Sequence, residues 1–231
     1  MIQVNQLSKS YNGTTVLKIN NLEIPKGESF GLVGNNGAGK TTFFSLLLDL
    51  IQPTTGYIKN NNFQVDKTEG WKTLTASFLD ESFLIGYLTP EEYFYFIGDL
   101  RGQNKADVDA LLKKYTEFFN GEILNSKKYI RDFSKGNQKK VGIIATLIGN
   151  PEVIILDEPF ANLDPTTQFR LKNIIKDLAA DPNVTILVSS HDLQHTVEVS
   201  DRIVALHKGE VVKDIQTSAE TLQELEQFFA V

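Results

Sequence analysis

Residues 34–41 read Gly-Asn-Asn-Gly-Ala-Gly-Lys-Thr, and few folds have a use for such an octapeptide. Gly34 and Gly39 let the backbone curl so that successive N–H groups point inward at an anion. The preceding Ser29–Val33 has the continuous apolar character of a buried strand. The following Thr41–Ile51 carries Phe43, Leu46, Leu47 and Leu50 at helical spacing, with Pro53 and Gly56 to end it. Strand, glycine turn and helix together form the setting in which this pattern cradles phosphate, with the helix adding its positive end. Lys40 would reach the β- and γ-phosphates, and the Thr41 hydroxyl would ligate Mg²⁺. A random chain of this length matches the pattern roughly once in a hundred. The loop alone does not separate ATPases from GTPases or kinases.

A second constellation narrows the choice. Val153–Leu156 is a short apolar strand that delivers Asp157 at its C-terminal tip, where α/β sheets present their ligands. Asp157 would hold Mg²⁺, and the adjacent Glu158 would orient or deprotonate an attacking water.

The rest of the chain fits one α/β unit. Its 231 residues suffice for a single substantial core. Strand patterns at Ile2–Leu7, Thr15–Ile19, Gly56–Val65 and Val184–Ser189, and a hairpin of Ile203–Leu206 with Val211–Ile215 around Lys208-Gly209, alternate with helical ones such as Thr167–Ala179. That alternation implies a largely parallel sheet, with an antiparallel stretch before Ser29. Thr89, Pro90 and Glu92 spell a capped helix start.

Net charge is −6, from 23 basic and 29 acidic residues, so no global basic field draws the chain to nucleic acid or anionic lipid. Without cysteine there is no disulfide or thiol chemistry. The N-terminal residues lack a signal pattern, and the longest apolar runs, 43–48 and 141–148, fall well short of the roughly 20 residues of a spanning helix. The expected location is cytoplasmic, with any membrane role supplied by a partner.

With these motifs in hand, the chain resembles the ATP-binding cassette ATPases. Asp157-Glu158-Pro159 runs into Ala161-Asn162-Leu163-Asp164, which looks like that family's D-loop. Phe133-Ser134-Lys135-Gly136-Asn137-Gln138 stands at the place of the signature motif. His191 follows the Val184–Ser189 strand at the position of the switch histidine, and Tyr11 sits where an aromatic stacks on adenine. The similarity covers essentially the whole chain, with every motif in order.

The resemblance implies a P-loop (RecA-like) core with an antiparallel β-subdomain and a helical subdomain at about 86–148. It implies that Tyr11 stacks the base, and that Gly34, Asn35, Asn36, Gly37, Ala38, Gly39, Lys40, Thr41 and Thr42 wrap the phosphates. Asp157 supports Mg²⁺, Glu158 is the base, and His191 contacts the γ-phosphate. Ser134, Lys135, Gly136 and Asn137 would face the ATP of an opposite subunit, with Asp164 in the D-loop. The expected partners are a second copy or paralogue and separate integral membrane permease subunits, with no nucleic acid.

Four positions depart from the family pattern. Lys135 replaces a signature glycine and Asn137 the usual glutamine, and a lysine there is familiar in the drug and antibiotic exporter branch. Ala161 replaces the D-loop serine. Counted back from Leu88-Thr89, the Q-loop position is Asp80 rather than glutamine, a carboxylate still able to face Mg²⁺.

Two clusters remain open. Lys127, Lys128, Arg131, Lys135, Lys139 and Lys140 read as a solvated helix face, and His195 and His207 as surface residues. Phe83, Tyr87, Tyr93, Phe94, Tyr95 and Phe96 divide between a core and the surface that, in the resembled family, meets the transporter. A soluble cassette acting on ribosome or DNA is disfavoured by the single phosphate loop and the lack of heptad runs. A P-loop kinase is disfavoured by the signature, and a non-hydrolysing regulatory cassette stays open through Asp80 and Ala161.

Overall fold

The computed structural model describes residues 1–229. One ten-stranded sheet, ordered β5-β4-β1-β2-β10-β9-β3-β8-β7-β6, organises the chain. Its antiparallel end contains β1 (Ile2–Tyr11), β2 (Thr14–Ile24), β4 (Thr55–Asn60) and β5 (Phe63–Gln64). Its parallel end contains β3 (Ser29–Val33), β6 (Thr75–Phe78), β7 (Val153–Asp157), β8 (Thr185–Ser190) and β9 (Arg202–His207). The last strand, β10 (Glu210–Gln216), pairs antiparallel with β9 and touches β2 at Glu210–Lys18, joining the two ends.

Several strands differ in extent from the sequence reading, and the reasons are local. Both β1 and β2 run longer than expected because Asn12 and Gly13, at φ 50° and 80°, close a tight hairpin. The expected single strand 56–65 is two strands, β4 and β5. Asn61 and Asn62 take positive φ and turn the chain back between them. The edge strand β6 was not anticipated, since Thr75–Phe78 is short and only its burial against β7 marks it.

Parallel strands buried on both faces distribute alternate residues to two cores. On one face, Val153, Ile155 and Leu187 meet Phe43, Phe44, Leu46 and Leu47 of α1 (Lys40–Leu47). On the other, Ile154, Leu156, Ile186 and Val188 meet α5 (Pro165–Ala179) and the helices inserted between β6 and β7. Helix α1 ends before Leu50, because Asp49 adopts φ 54°, and Leu50 is exposed rather than on the packed face.

The insert contains α2 (Pro90–Leu100), α3 (Lys105–Lys114) and α4 (Lys135–Ala145). The capping box at Thr89 and Glu92 forms as the sequence indicated, each residue satisfying the other's N–H. Phe94, Phe118 and Phe119 are fully buried there, and the rings of Phe94 and Phe119 lie 5.9 Å apart. Truncating one of these to alanine costs about 3–5 kcal/mol. Tyr93 and Phe94 face this core, whereas Phe83, Tyr87 and Phe96 stay exposed.

Two short helices complete the chain. Helix α6 (Leu193–Val199) and helix α7 (Thr221–Phe229) cover Val33, Ile203 and Ala205 with Leu225.

Candidate functional site

At the C-terminal tips of β3, β7 and β8 the chain brings together groups that are far apart in sequence. Gly34 follows β3 so closely under the next strand that a Cβ there would strike the Leu206 carbonyl. Gly39 sits at φ 108° as the N-cap of α1, a conformation open to glycine and strained for other residues. The Ala38 N–H donates to Asn35 O at 3.0 Å, and Gly209 N to Ala38 O at 3.0 Å, so the phosphate loop is tied to itself and to the β9–β10 turn.

Lys40 is 6% exposed, and its Nζ donates to Gly34 O at 2.7 Å. The same ammonium lies 3.3 Å from Glu158 Oε1. On the other side, His191 Nδ1 is 2.8 Å from Glu158 Oε2, and Ser190 Oγ donates to the same oxygen at 3.3 Å. The carboxylate expected to act on water is therefore held between Lys40 and His191.

Thr41 Oγ1 donates to Asp157 Oδ2 at 2.6 Å, and Ser189 Oγ hydrogen-bonds Asp157 Oδ1. Burial pushes the Asp157 carboxyl up, against the hydrogen bonds from Ser189 and Thr41 that pull it down. Among the described residues no three His, Cys, Asp or Glu side chains cluster to form a metal cage. A hydroxyl and one carboxylate side by side are hard oxygen donors that suit Mg²⁺ shared with substrate phosphates.

Tyr11 ends β1 at the hairpin whose other strand places Leu17 and Val16 against Gly39. Its ring is 48% exposed, with Lys9 Nζ 4.8 Å from the centroid, so the face available to a base is already next to a cation. The signature residues lie elsewhere. Ser134 caps α4 through Asn137 N–H, and Ser134, Lys135, Gly136 and Asn137 share one concavity with Asn162, Leu163 and Asp164. No residue of the phosphate loop lines that concavity. Asp164 caps α5, accepting from Thr167 N and Oγ1 at 3.0 and 2.6 Å.

At the Q-loop position two carboxylates stand side by side in different surroundings. Asp80 is exposed and spends a carboxylate oxygen on the Ser82 N–H, and Ser82 holds its carboxyl below the usual range. The neighbouring Glu81 turns inward instead, with its side chain 9% exposed. Two readings do change. Lys139 and Lys140 are buried rather than on a solvated face, and His195 packs its ring on Phe160 at 4.9 Å. Ser189 and Ser190 went unnoticed in the sequence, although their place at the end of a strand beside β7 was a usable signal.

The family model described as ABC transporter matches residues 17–161. The chain belongs to the ABC transporter family. Among curated proteins, this ABC cassette is 32% identical over 222 residues to the bacitracin transport ATP-binding protein BcrA of Enterococcus faecalis, spanning 94% of the chain and 70% of the relative. It is 30% identical over 226 residues to the lantibiotic transport ATP-binding protein SrtF of Streptococcus pyogenes, spanning 97% and 95%. Among solved structures, an ATP-binding subunit of an ABC transporter superposes with a TM-score of 0.84 at 28% identity, covering 100% of this chain and 93% of the other. A dimeric cassette in a post-hydrolysis state, bound to ADP and Pi, shares the fold at 23% identity and a TM-score of 0.83, covering 95% and 100%. This ABC cassette is thus an ATP-binding ATPase subunit of the transporter type. No helix among its described residues is long and apolar enough to cross a membrane.

Proposed function

We propose that this chain hydrolyses ATP at the Lys40–Glu158 site to drive an exporter, working as one of two cassettes beneath separate permease subunits on the inner face of the cell membrane. The observation that carries this is the placement of Glu158 between Lys40 and His191, beside the phosphate loop. Lys40 and the loop N–H groups bind the β- and γ-phosphates and neutralise charge as the terminal phosphoryl group leaves. Thr41 and Asp157 would hold Mg²⁺, which would supply Lewis-acid stabilisation of the charge on the phosphates. Glu158 accepts the proton of the attacking water, and His191 orients Glu158 and meets the γ-phosphate. Beside Asp80 at the Q-loop position, Glu81 reaches inward to Lys139, 3.7 Å away.

The separation of the signature concavity from the phosphate loop supports a shared site, in which Ser134 to Asn137 close on the ATP of a second cassette. Relatives named for bacitracin and lantibiotic transport support the exporter branch. The decisive test is phosphate release by Glu158→Gln, which keeps shape and removes the base. Turnover should drop at least about a hundredfold. Near-normal turnover would sink the assignment.

A further inference from the structure

Glu158 is held by a residue outside every motif described above. Its backbone has φ 47°, a left-handed conformation that few non-glycine residues adopt. The β7–β8 ladder ends at Asp157–Ser189, and Pro159 follows, so neither the ladder nor a helix holds this peptide. Four contacts do. The Glu158 N–H donates to Ser189 O at 3.1 Å and to Ser189 Oγ at 3.2 Å, and the Glu158 carbonyl accepts from Ala161 N–H at 3.3 Å and, more closely, from Lys139 Nζ at 2.7 Å.

Lys139 lies on α4 and is 4% exposed. On the far side of its ammonium stands Glu81 Oε1 at 3.7 Å. Burying a lysine is costly unless its charge is paired and its donors are used. Burial does lower its pKa, while Glu81 and Glu158, and more weakly Asp80 and Asp157, act to keep the charge. A side chain kept inside at such a cost, and aimed at one carbonyl, has a positional task.

We infer that Lys139 is the positioning residue of Glu158, holding the main chain from which the carboxylate projects and tying it through Glu81 to the segment between β6 and α2. This rests on the reading of Glu158 as the base. Lys139 touches neither the loop nor His191. Its loss should therefore misplace the base and leave the phosphate grip intact.

The test is steady-state ATP hydrolysis and equilibrium ATP binding by the full chain carrying Lys139→Met, Lys139→Gln and Glu81→Gln, with Glu158→Gln as control. Misplacing a reacting group by an ångström costs about a hundredfold. The Met variant should accordingly lose about that much in kcat, with KM and ATP-binding stoichiometry essentially unchanged. Lys139→Gln keeps an N–H donor and should recover part of the loss. Glu81→Gln should lower kcat alone but add little on top of Lys139→Gln, because both act through one contact. If the Met variant does not fold, the Gln variant and the pairing with Glu81→Gln decide the matter in the same way. An inactive Glu158→Gln beside a fully active Lys139→Met would overturn the inference alone, as would a kcat loss matched by lost ATP binding or additive Gln effects. An active Glu158→Gln would overturn the reading of the base instead.

Discussion

The Lys40 ammonium lies 3.3 Å from Glu158 Oε1, so the group proposed to grip phosphate and the group proposed to act on water are ion-paired with each other. On the proposed reading, binding ATP would exchange that contact for contacts with phosphate oxygens. Glu158→Gln removes the competing carboxylate and should bind ATP as tightly as the parent chain, or more tightly, while hydrolysis is lost. Equilibrium binding measured beside phosphate release checks this. Weaker binding by the variant would mean that the pair does not compete with nucleotide.

Lys40→Ala has the opposite profile. The ammonium is buried against Gly34 O and has no substitute within the loop, so nucleotide binding itself should fail. Losing a charge-assisted phosphate contact of this kind costs about 2–3 kcal/mol or more, some tens- to hundredfold in affinity. Binding titrations at constant Mg²⁺ measure it.

A shared site predicts complementation. Ser134→Arg puts a bulky cation where a small hydroxyl caps α4 beside the D-loop, and it leaves that subunit's own loop untouched. Lys40→Ala breaks the loop and spares the signature. Each variant alone should be inactive. A mixture forms some dimers with one intact loop facing one intact signature, and activity should reappear with a maximum near equal proportions. Full activity of Ser134→Arg by itself would end the shared-site reading.

Tyr87 and Phe96 are large, exposed and close to the segment that follows β6. Replacing both with serine should release the chain from membranes that contain its permease, without lowering basal ATP hydrolysis. Sedimentation with and without the co-expressed permease reads this out. Undiminished membrane association would move the partner surface elsewhere.

The caps predict an acid limb of stability. The N–H and hydroxyl of Thr89 hold Glu92 below its ordinary carboxylate value of 4.5. A depressed folded pKa contributes stability that is fully present above the unfolded value and is lost as pH falls through the folded one. The stability difference between the parent chain and Glu92→Gln should therefore be largest near neutrality and shrink below about pH 4.5. Urea unfolding across pH 3–7 tests the sign; a difference that grows in acid would refute it.

Much of this protein follows from local chemistry, because certain backbone geometries admit few residue types. Gly34, Gly39, Lys40 and Thr41 stand out because a phosphate loop would need those residues at that spacing, and the structure gives Gly39 a φ of 108° and buries Lys40 against Gly34 O. Asp157 and Glu158 are legible because an apolar strand must end where its polar groups can be used. The capping box at Thr89 and Glu92 and the hairpin at Lys208-Gly209 are local in the same way, and both formed as read.

Long-range packing decided the rest. Glu81 and Asp80 are adjacent carboxylates, and only the fold turns one inward and spends the other on Ser82. Lys139 reads as one more cation on a basic helix until α4 packs against β6 and brings its ammonium to the Glu158 carbonyl. Ser189 comes beside Asp157 only through the parallel pairing of β7 with β8. Spacing along a chain encodes the contacts a residue makes with its near neighbours. Contacts between residues tens of positions apart exist only once burial has set the register and orientation of the elements that carry them.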